Sequence, residues 1–488
     1  MTKSHQTTDV AIIGAGFAGL GVAIELLRQG LKNFVIFEGE EGVGGSWRTN
    51  TYPGCACDVP SHLYSYSFEP NPNWPQAYSR QEDILHYIEH CADKYGVKPY
   101  IRFHTRVTDA SFDAASGRWM VSSDDGQVTA ARVLVPATGA LSHPKYPDIP
   151  GMDSFQGMAV HAARWNADLD LRGKRVGVIG SGASAIQVVP NIAAEVADLK
   201  VFQRTPSWVL PKHNRSFSAQ EQQRWRQHPW MQKAQRFGLY WTMESALPAI
   251  MWYPPLLGIG EWLHKRALHQ HIRDPQLRRQ LTPDYQVGCK RTLVSDDWFP
   301  AFARPNVHLV TDGISAITAH GLTTSDGQEH ALDVIIYCTG YDIGAPAYPF
   351  AIHGLQGQSL TDYWAGQPKA YYGMNVSDFP NMLLIMGPNS GPGHTSVLIY
   401  QEAQYHYIAQ YTKTLLRRKL RYLNVKKAVV DEQYQNFQQR MRHSSWLSGC
   451  QSWYLNADGS NSTMWPGFSF EYVLRTRMMK MSAYEAVG

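Results

Sequence analysis

A chain of 488 residues is long enough for two domains with separate cores, and 44% apolar content with 15 tryptophans and 26 tyrosines excludes a disordered polypeptide. A formal net charge of +4 over this length, with no lysine/arginine run, excludes a general polyanion partner such as nucleic acid. Cys55, Cys57, Cys91, Cys289, Cys338 and Cys450 form no CxxC pair and no spaced framework, which fits a reducing, cytoplasmic setting, and no metal-ligand cluster is expected.

The N-terminus shows no charged-then-apolar leader layout and enters a strand pattern at once, VAIIG (10–14). Gly14, Gly16 and Gly19 then form GxGxxG before helically spaced residues, and the strand FVIFE ends on Glu38. Glycines here allow a tight turn, close approach of backbone to a pyrophosphate and tight helix–strand packing, while Glu38 is placed to accept from a ribose. The unit closes with RVLVPATGA, ending near Gly139.

Residues 155–166, FQGMAVHAARWN, read alone as a packed linker. A second unit follows. RVGVIGSGASAIQ places Gly180, Gly182 and Ala185 as GxGxxA, with the strand LKVFQRT (199–205) after it. Counting from the first glycine sets Arg204 against Glu38, whereas aligning the phenylalanines sets Gln203 there. In either register no carboxylate stands at that place, and Arg204 with Thr205 suits a 2′-phosphate, so this unit reads as an NADP site. It closes on DVIIYCTGY at Gly340.

From Gly14 to Gly139 is 125 residues and from Gly180 to Gly340 is 160, and the aromatic, helix-patterned stretch of about 215–282 accounts for the excess. Its apolar part, Leu239 to Leu263, is interrupted by Glu244, Pro248, Pro254 and Pro255 and is no bilayer span. It reads as a helical hairpin under a substrate site or as a membrane-surface patch, and its Trp241, Met251, Trp252 and Tyr253 suggest a hydrophobic substrate. The expected fold is α/β with two Rossmann-like dinucleotide-binding domains. The NADP domain (151–340, helical insertion about 215–282) interrupts a first domain made of 1–150 and 341–488. Two dinucleotides on one polypeptide point to a nicotinamide reducing a flavin.

Two spread-out patterns carry a family resemblance. The first matches FxGxxxHxxxW at Phe155, Gly157, His161 and Trp165, departing at Asn166, where Pro or Asp is usual. The second, GGSWRTNTYPGCACD, matches at Gly44, Gly45, Trp47, Tyr52, Pro53, Gly54 and Asp58. Together they resemble the Baeyer–Villiger monooxygenases, a branch of the flavin-dependent monooxygenases, over nearly the whole chain. The resemblance implies non-covalent FAD in the first domain, NADPH in the second, and dioxygen activated as a flavin C4a-peroxide that turns a ketone into an ester or lactone. It gives the Phe155–Trp165 fingerprint the role of coupling domain orientation, with His161 structural or gating.

Lys290 and Arg291 resemble the family's CKR segment. This implies that Arg291 stabilises the peroxide, a task suited to a cation whose pKa lies above about 12. By the same resemblance Asp58 orients Arg291, and Lys290 joins Arg204 and Thr205 at the 2′-phosphate. Trp453 closes over the nicotinamide, and GPNSGPGHTSV (387–397) resembles a flavin-contacting loop. The alternative is an N- or S-oxygenating flavin monooxygenase with the same cofactors. A disulfide reductase would need a redox-active cysteine pair by the flavin, and Cys55 and Cys57 stand too close in sequence for it. Expected partners are a small ketone or sulfide and O2, with no nucleic acid and no transmembrane segment; the protein would be a monomer or homodimer.

Overall fold

The computed structural model of the protein describes residues 6–141, 143–342 and 348–488. A seven-stranded sheet runs in the order Ala351–His353, Val107–Asp113, Arg118–Ser123, Val128–Pro136, Gln6–Ile13, Phe34–Phe37, Ile101–Arg102. Its centre is parallel, with Ile12 facing Ile36 on one side and Val135 on the other. Its two central strands are nearly continuous apolar runs because both faces of the sheet are buried. On one face lies the helix Phe17–Arg28, and against it packs Val397–Arg417, so close that a side chain on Gly21 would overlap the Tyr405 ring. The C-terminal part of the chain thus returns to the first sheet.

A five-stranded sheet, parallel throughout, runs Val307–Val310, Asp198–Phe202, Arg175–Ile179, Val334–Tyr337, Met158–His161. Strand order reverses between Arg175–Ile179 and Val334–Tyr337, which is where open α/β sheets bind ligands beyond their carboxyl ends. The architecture is the expected doubly-wound α/β pair. Between its strands sits the helical insertion: Ala219–Gln227, Pro229–Glu244, Leu247–Met251, Gly258–His271 and Pro275–Gln280. Ser218 starts it with a capping box, accepting from Glu221 N at 3.2 Å while the Glu221 carboxylate accepts from Ser218 N at 2.9 Å. Of the four apolar residues that suggested a substrate site, only Met251 is buried, with Leu247 and Ile250 beside it; Trp241, Trp252 and Tyr253 face outward, so they line no interior substrate site. No helix among the described residues is long and apolar enough to cross a membrane.

The cysteines depart from the sequence expectation. Cys289 and Cys450 form a disulfide across a separation of 161 residues, too distant for any spacing rule to register. Cys55, Cys57, Cys91 and Cys338 are free and buried.

Candidate active site

The two glycine loops are built alike. Gly14 and Gly180 both have positive φ, 106° and 116°, and each lies against the carbonyl that opens the closing turn of its unit, Ala137 O and Cys338 O. A Cβ would come within 2.7 Å of the first oxygen and 2.4 Å of the second, so only glycine fits. Gly19 has its Cβ position 1.9 Å from Gly14 O, the close packing expected of the third glycine. Gly16 faces Gly45 across the loop, and a Cβ on Gly45 would lie 3.1 Å from Gly16 Cα. Gly182 has open space before it, and Ala185 begins the helix Ala185–Ile192. Both cradles thus present bare backbone at a helix start, which suits a pyrophosphate.

The backbone also resolves the register between the units. Gly14 N donates to Phe37 O and Gly180 N to Phe202 O, which pairs Glu38 with Gln203 and puts Arg204 one residue further on. Glu38 is buried; its Oε2 accepts from Ala15 N at 2.7 Å and its Oε1 from Glu40 N at 2.9 Å, so it stands at the loop itself. Gln203 is turned inward and donates to Gln280 O at 2.9 Å. Arg204 is exposed, and the Thr205 carbonyl ties the strand end to Ser181 Oγ at 2.9 Å. Burial and the Arg204 charge hold the Lys290 ammonium below the usual lysine range. Two cations kept close at the carboxyl end of a sheet fit an anion such as a 2′-phosphate. Lys290 also lies 4.8 Å from the Tyr285 ring centre.

Arg291 turns the other way from its neighbour. Its Nη2 and Nε donate to Asp58 Oδ2 at 2.5 and 3.2 Å, joining residues 233 apart in sequence. Burial alone would raise the Asp58 pKa, but the Arg291 charge and hydrogen bonds outweigh it and hold it below the ordinary value. Asp58 in turn raises Arg291, which stays charged at any working pH. With Cys57, Asp58 and Tyr454 acting on it, Arg291 still keeps 46% side-chain exposure, so its guanidinium is open to solvent on the side away from Asp58.

Sequence reasoning missed two residues here. Lys212 lies near Asp58 and is pushed down by burial, and Tyr454 is pushed up to about 12 by burial beside Arg291. Trp453 is 49% exposed with its ring 4.4 Å from Tyr454, so Tyr454 rather than Trp453 adjoins the arginine. Trp47, on the short helix Ser46–Thr49, donates to Tyr64 Oη at 3.1 Å.

The two signatures lie along the seam between the sheets. Tyr52 Oη donates to Gln187 Oε1 at 3.0 Å, and Gln187 Nε2 donates to Ala56 O at 2.9 Å, clasping the 44–58 loop to the helix Ala185–Ile192. Gly54 is pressed on that helix, its Cβ position 2.8 Å from Gln187 O. In the fingerprint, Gly157 leaves no room for a side chain, since a Cβ would lie 2.5 Å from both Asp333 O and the Phe155 ring. Trp165 packs with Tyr52 against the second core. His161 ends its strand opposite Tyr337, its Nδ1 accepts from Ala163 N at 3.0 Å, and burial holds its pKa down. Next to it the chain crosses between the sheets, Lys145 N donating to Gly340 O at 3.0 Å. Asn166 Oδ1 accepts from Asp168 N at 3.0 Å, an Asx turn that an aspartate makes equally well, so this departure alters no contact of the site. The 387–397 loop is held by Asn389, whose Nδ2 donates to Asn461 O and Met464 O at 2.8 and 3.0 Å.

A family model described as flavin-binding monooxygenase-like matches residues 7–363. A Baeyer-Villiger monooxygenase of Streptomyces coelicolor is 43% identical over 486 residues, covering 99% of this chain and 93% of that protein. One of Pseudomonas aeruginosa is 43% identical over 478 residues, covering 97% and 90%. The structure of an oxidized steroid monooxygenase bound to NADP superposes with a TM-score of 0.88 at 29% identity, covering 99% of this chain and 100% of the other. With matches along its whole length, a pair of dinucleotide cradles and the Asp58–Arg291 pair between them, the chain belongs to the flavin-binding monooxygenase-like family and, within it, to the Baeyer–Villiger monooxygenases.

Proposed function

We propose that the protein uses FAD, NADPH and O2 to insert an oxygen atom beside the carbonyl of a small ketone, giving an ester or lactone. FAD sits on the first glycine loop, in a domain made of 1–150 and 341–488, and NADPH on the second, in 151–340. The observation that carries this reading is the lysine–arginine step at 290–291, which spans both cradles: Lys290 stands near Arg204, and Arg291 is bound to Asp58 of the 44–58 loop.

When bound, the flavin supplies the electrons and the place where dioxygen is activated. The chain does the rest. Backbone N–H groups where the helices begin, from Gly16 in the first loop and Gly182 in the second, take the pyrophosphates, Glu38 takes a ribose hydroxyl, and Arg204, Thr205 and Lys290 take the 2′-phosphate. Arg291 stabilises the negative charge that develops on oxygen at the ketone carbonyl. Its proton is never given up, so the attacking oxygen stays a nucleophile. Asp58 fixes the guanidinium plane and balances its charge.

In Arg291→Ala, flavin reduction by NADPH should stay within a few-fold of wild type while ester formation falls on the order of 10²–10³-fold, the usual cost of one charge-stabilising donor. Stopped-flow reduction and product analysis read the two separately. Ester formation at the wild-type rate would remove Arg291 from the mechanism.

A further inference from the structure

The helical insertion and the C-terminal helix share a face that the site does not use. Among the described residues, twelve of the sixteen exposed large apolar side chains lie between Trp230 and Trp262 or between Phe470 and Met478, so the exposure is concentrated rather than scattered. Trp230, Phe237 and Trp241 are seven and four residues apart on Pro229–Glu244, hence on one side of that helix. The rings run on across elements: Trp241 to Phe470 at 6.0 Å, Phe470 stacked on Phe468 at 5.0 Å, and Phe468 to Trp252 at 5.7 Å. Tyr253, Leu256, Ile259 and Trp262 extend the exposed surface beyond Trp252. Within it opens a groove of about 680 Å³ walled by Phe237, Ile399, Phe470 and Leu474 and edged by Lys233 and Arg477.

The exposed charge around this face is mainly positive, and the one carboxylate lining the groove, Glu402, accepts from Ser67 N at 2.6 Å. Residues 224–273 contain seven lysines and arginines and two glutamates, in a chain whose total is only +4. Glu244 is buried, accepting from Ser469 N at 3.1 Å and facing His394 at 3.3 Å, and Glu261 lies 3.9 Å from Lys265. Lys233, Lys265 and Arg266 are exposed, and the Arg266 guanidinium lies 5.3 Å from the Trp262 ring centre. A second copy docked here would bring one cationic rim against another, whereas anionic headgroups complement it.

We propose that this face binds the surface of an anionic lipid bilayer. Phe237, Trp241, Trp252 and Trp262 enter the boundary between headgroups and acyl chains, and Lys233, Lys265, Arg266 and Arg477 engage the phosphates. Tryptophan-rich apolar surface ringed by cations is what interfacial binding requires, and each cation near an anionic membrane strengthens it about fivefold. The protein would then work against the bilayer, without spanning it.

The test uses the FAD-loaded full chain with vesicles of phosphatidylcholine alone or with about one third phosphatidylglycerol, read by co-sedimentation and by tryptophan quenching with brominated lipid. Binding is expected only to the phosphatidylglycerol vesicles, and high salt should weaken it. Phe237→Glu with Trp241→Glu should lower it at least about tenfold, and Lys265→Glu with Arg266→Glu a comparable amount, while ester formation from a soluble ketone stays unchanged. No binding to anionic vesicles, or binding that neither pair of substitutions diminishes, overturns the proposal. So does a concentration-dependent dimer that Phe237→Glu with Trp241→Glu dissociates in a protein that ignores vesicles; that result would assign the face to a second copy.

Discussion

Asp58 and Arg291 act as one unit, and their mutual shifts set how the unit responds to pH. Burial favours the neutral acid and the guanidinium favours the anion; the second effect wins, so the folded Asp58 pKa lies below its unfolded value of about 3.9. A depressed carboxylate contributes its stabilisation above the unfolded pKa and loses it as pH falls through the folded one. The pair is therefore intact across the neutral range, and any acid limb in ester formation above about pH 5 has another source. In Asp58→Asn the arginine loses its counter-charge while keeping a hydrogen-bond acceptor. Ester formation should drop about tenfold or more with flavin reduction little changed, and the pH profile should keep its shape. An inflection between about pH 5 and 7 in wild type that vanishes in Asp58→Asn would show that Asp58 titrates there and is not held down by Arg291.

Among elements, the seam between the sheets turns on Gly54, where φ is +79° and a Cβ would lie 2.8 Å from Gln187 O. Gly96 has a similar backbone, φ +62°, with nothing within 4 Å of its Cβ position, so it serves as the control. Alanine at either site meets the left-handed backbone cost of about 1–2 kcal/mol. Only Gly54→Ala also pushes the loop from the helix Ala185–Ile192 and opens the Tyr52–Gln187 clasp. It should slow flavin reduction by NADPH and lower Tm more than Gly96→Ala does; equal losses would mean that the clasp carries no coupling. Both glycine loops were legible in the sequence because strand, turn and helix lie within about thirty residues and obey local rules. The register at Glu38 and Gln203 was not, because it depends on which carbonyl Gly180 N meets across the sheet. Asp58 with Arg291 was reached through resemblance alone. Gln187, Lys212 and Tyr454 escaped because each matters through a contact far off in sequence, and residue type gave no sign of it. Trp241 and Tyr253 misled in the opposite sense, since an aromatic run has the same composition whether it faces a pocket or the solvent.

At the scale of the whole molecule, the chain leaves the first sheet, builds the second and returns, and the Cys289–Cys450 disulfide closes that excursion. One end adjoins Lys290 and Arg291; the other lies shortly before Trp453 and Tyr454, with Cys450 N donating to Cys289 Sγ at 3.2 Å. The bond thereby fixes the segment that places Tyr454 beside Arg291. A link across 161 residues restricts the unfolded chain strongly, with a typical stabilisation of about 2–4 kcal/mol. A protein of this size need not unfold in two states, so Tm under matched conditions is the sound measure. Cys450→Ser should lower Tm, and dithiothreitol should lower that of wild type to the same level while leaving the variant unmoved. Product analysis on the variant separates fold from site. Because Arg291 keeps its Asp58 partner without the bond, ester formation should persist, with more NADPH oxidised per ester as the Trp453–Tyr454 segment loosens and water gains access around Arg291. If reductant leaves wild-type Tm where it was, the two sulfurs are not constraining the chain, and the ordering of Tyr454 must come from the packing of its buried ring alone.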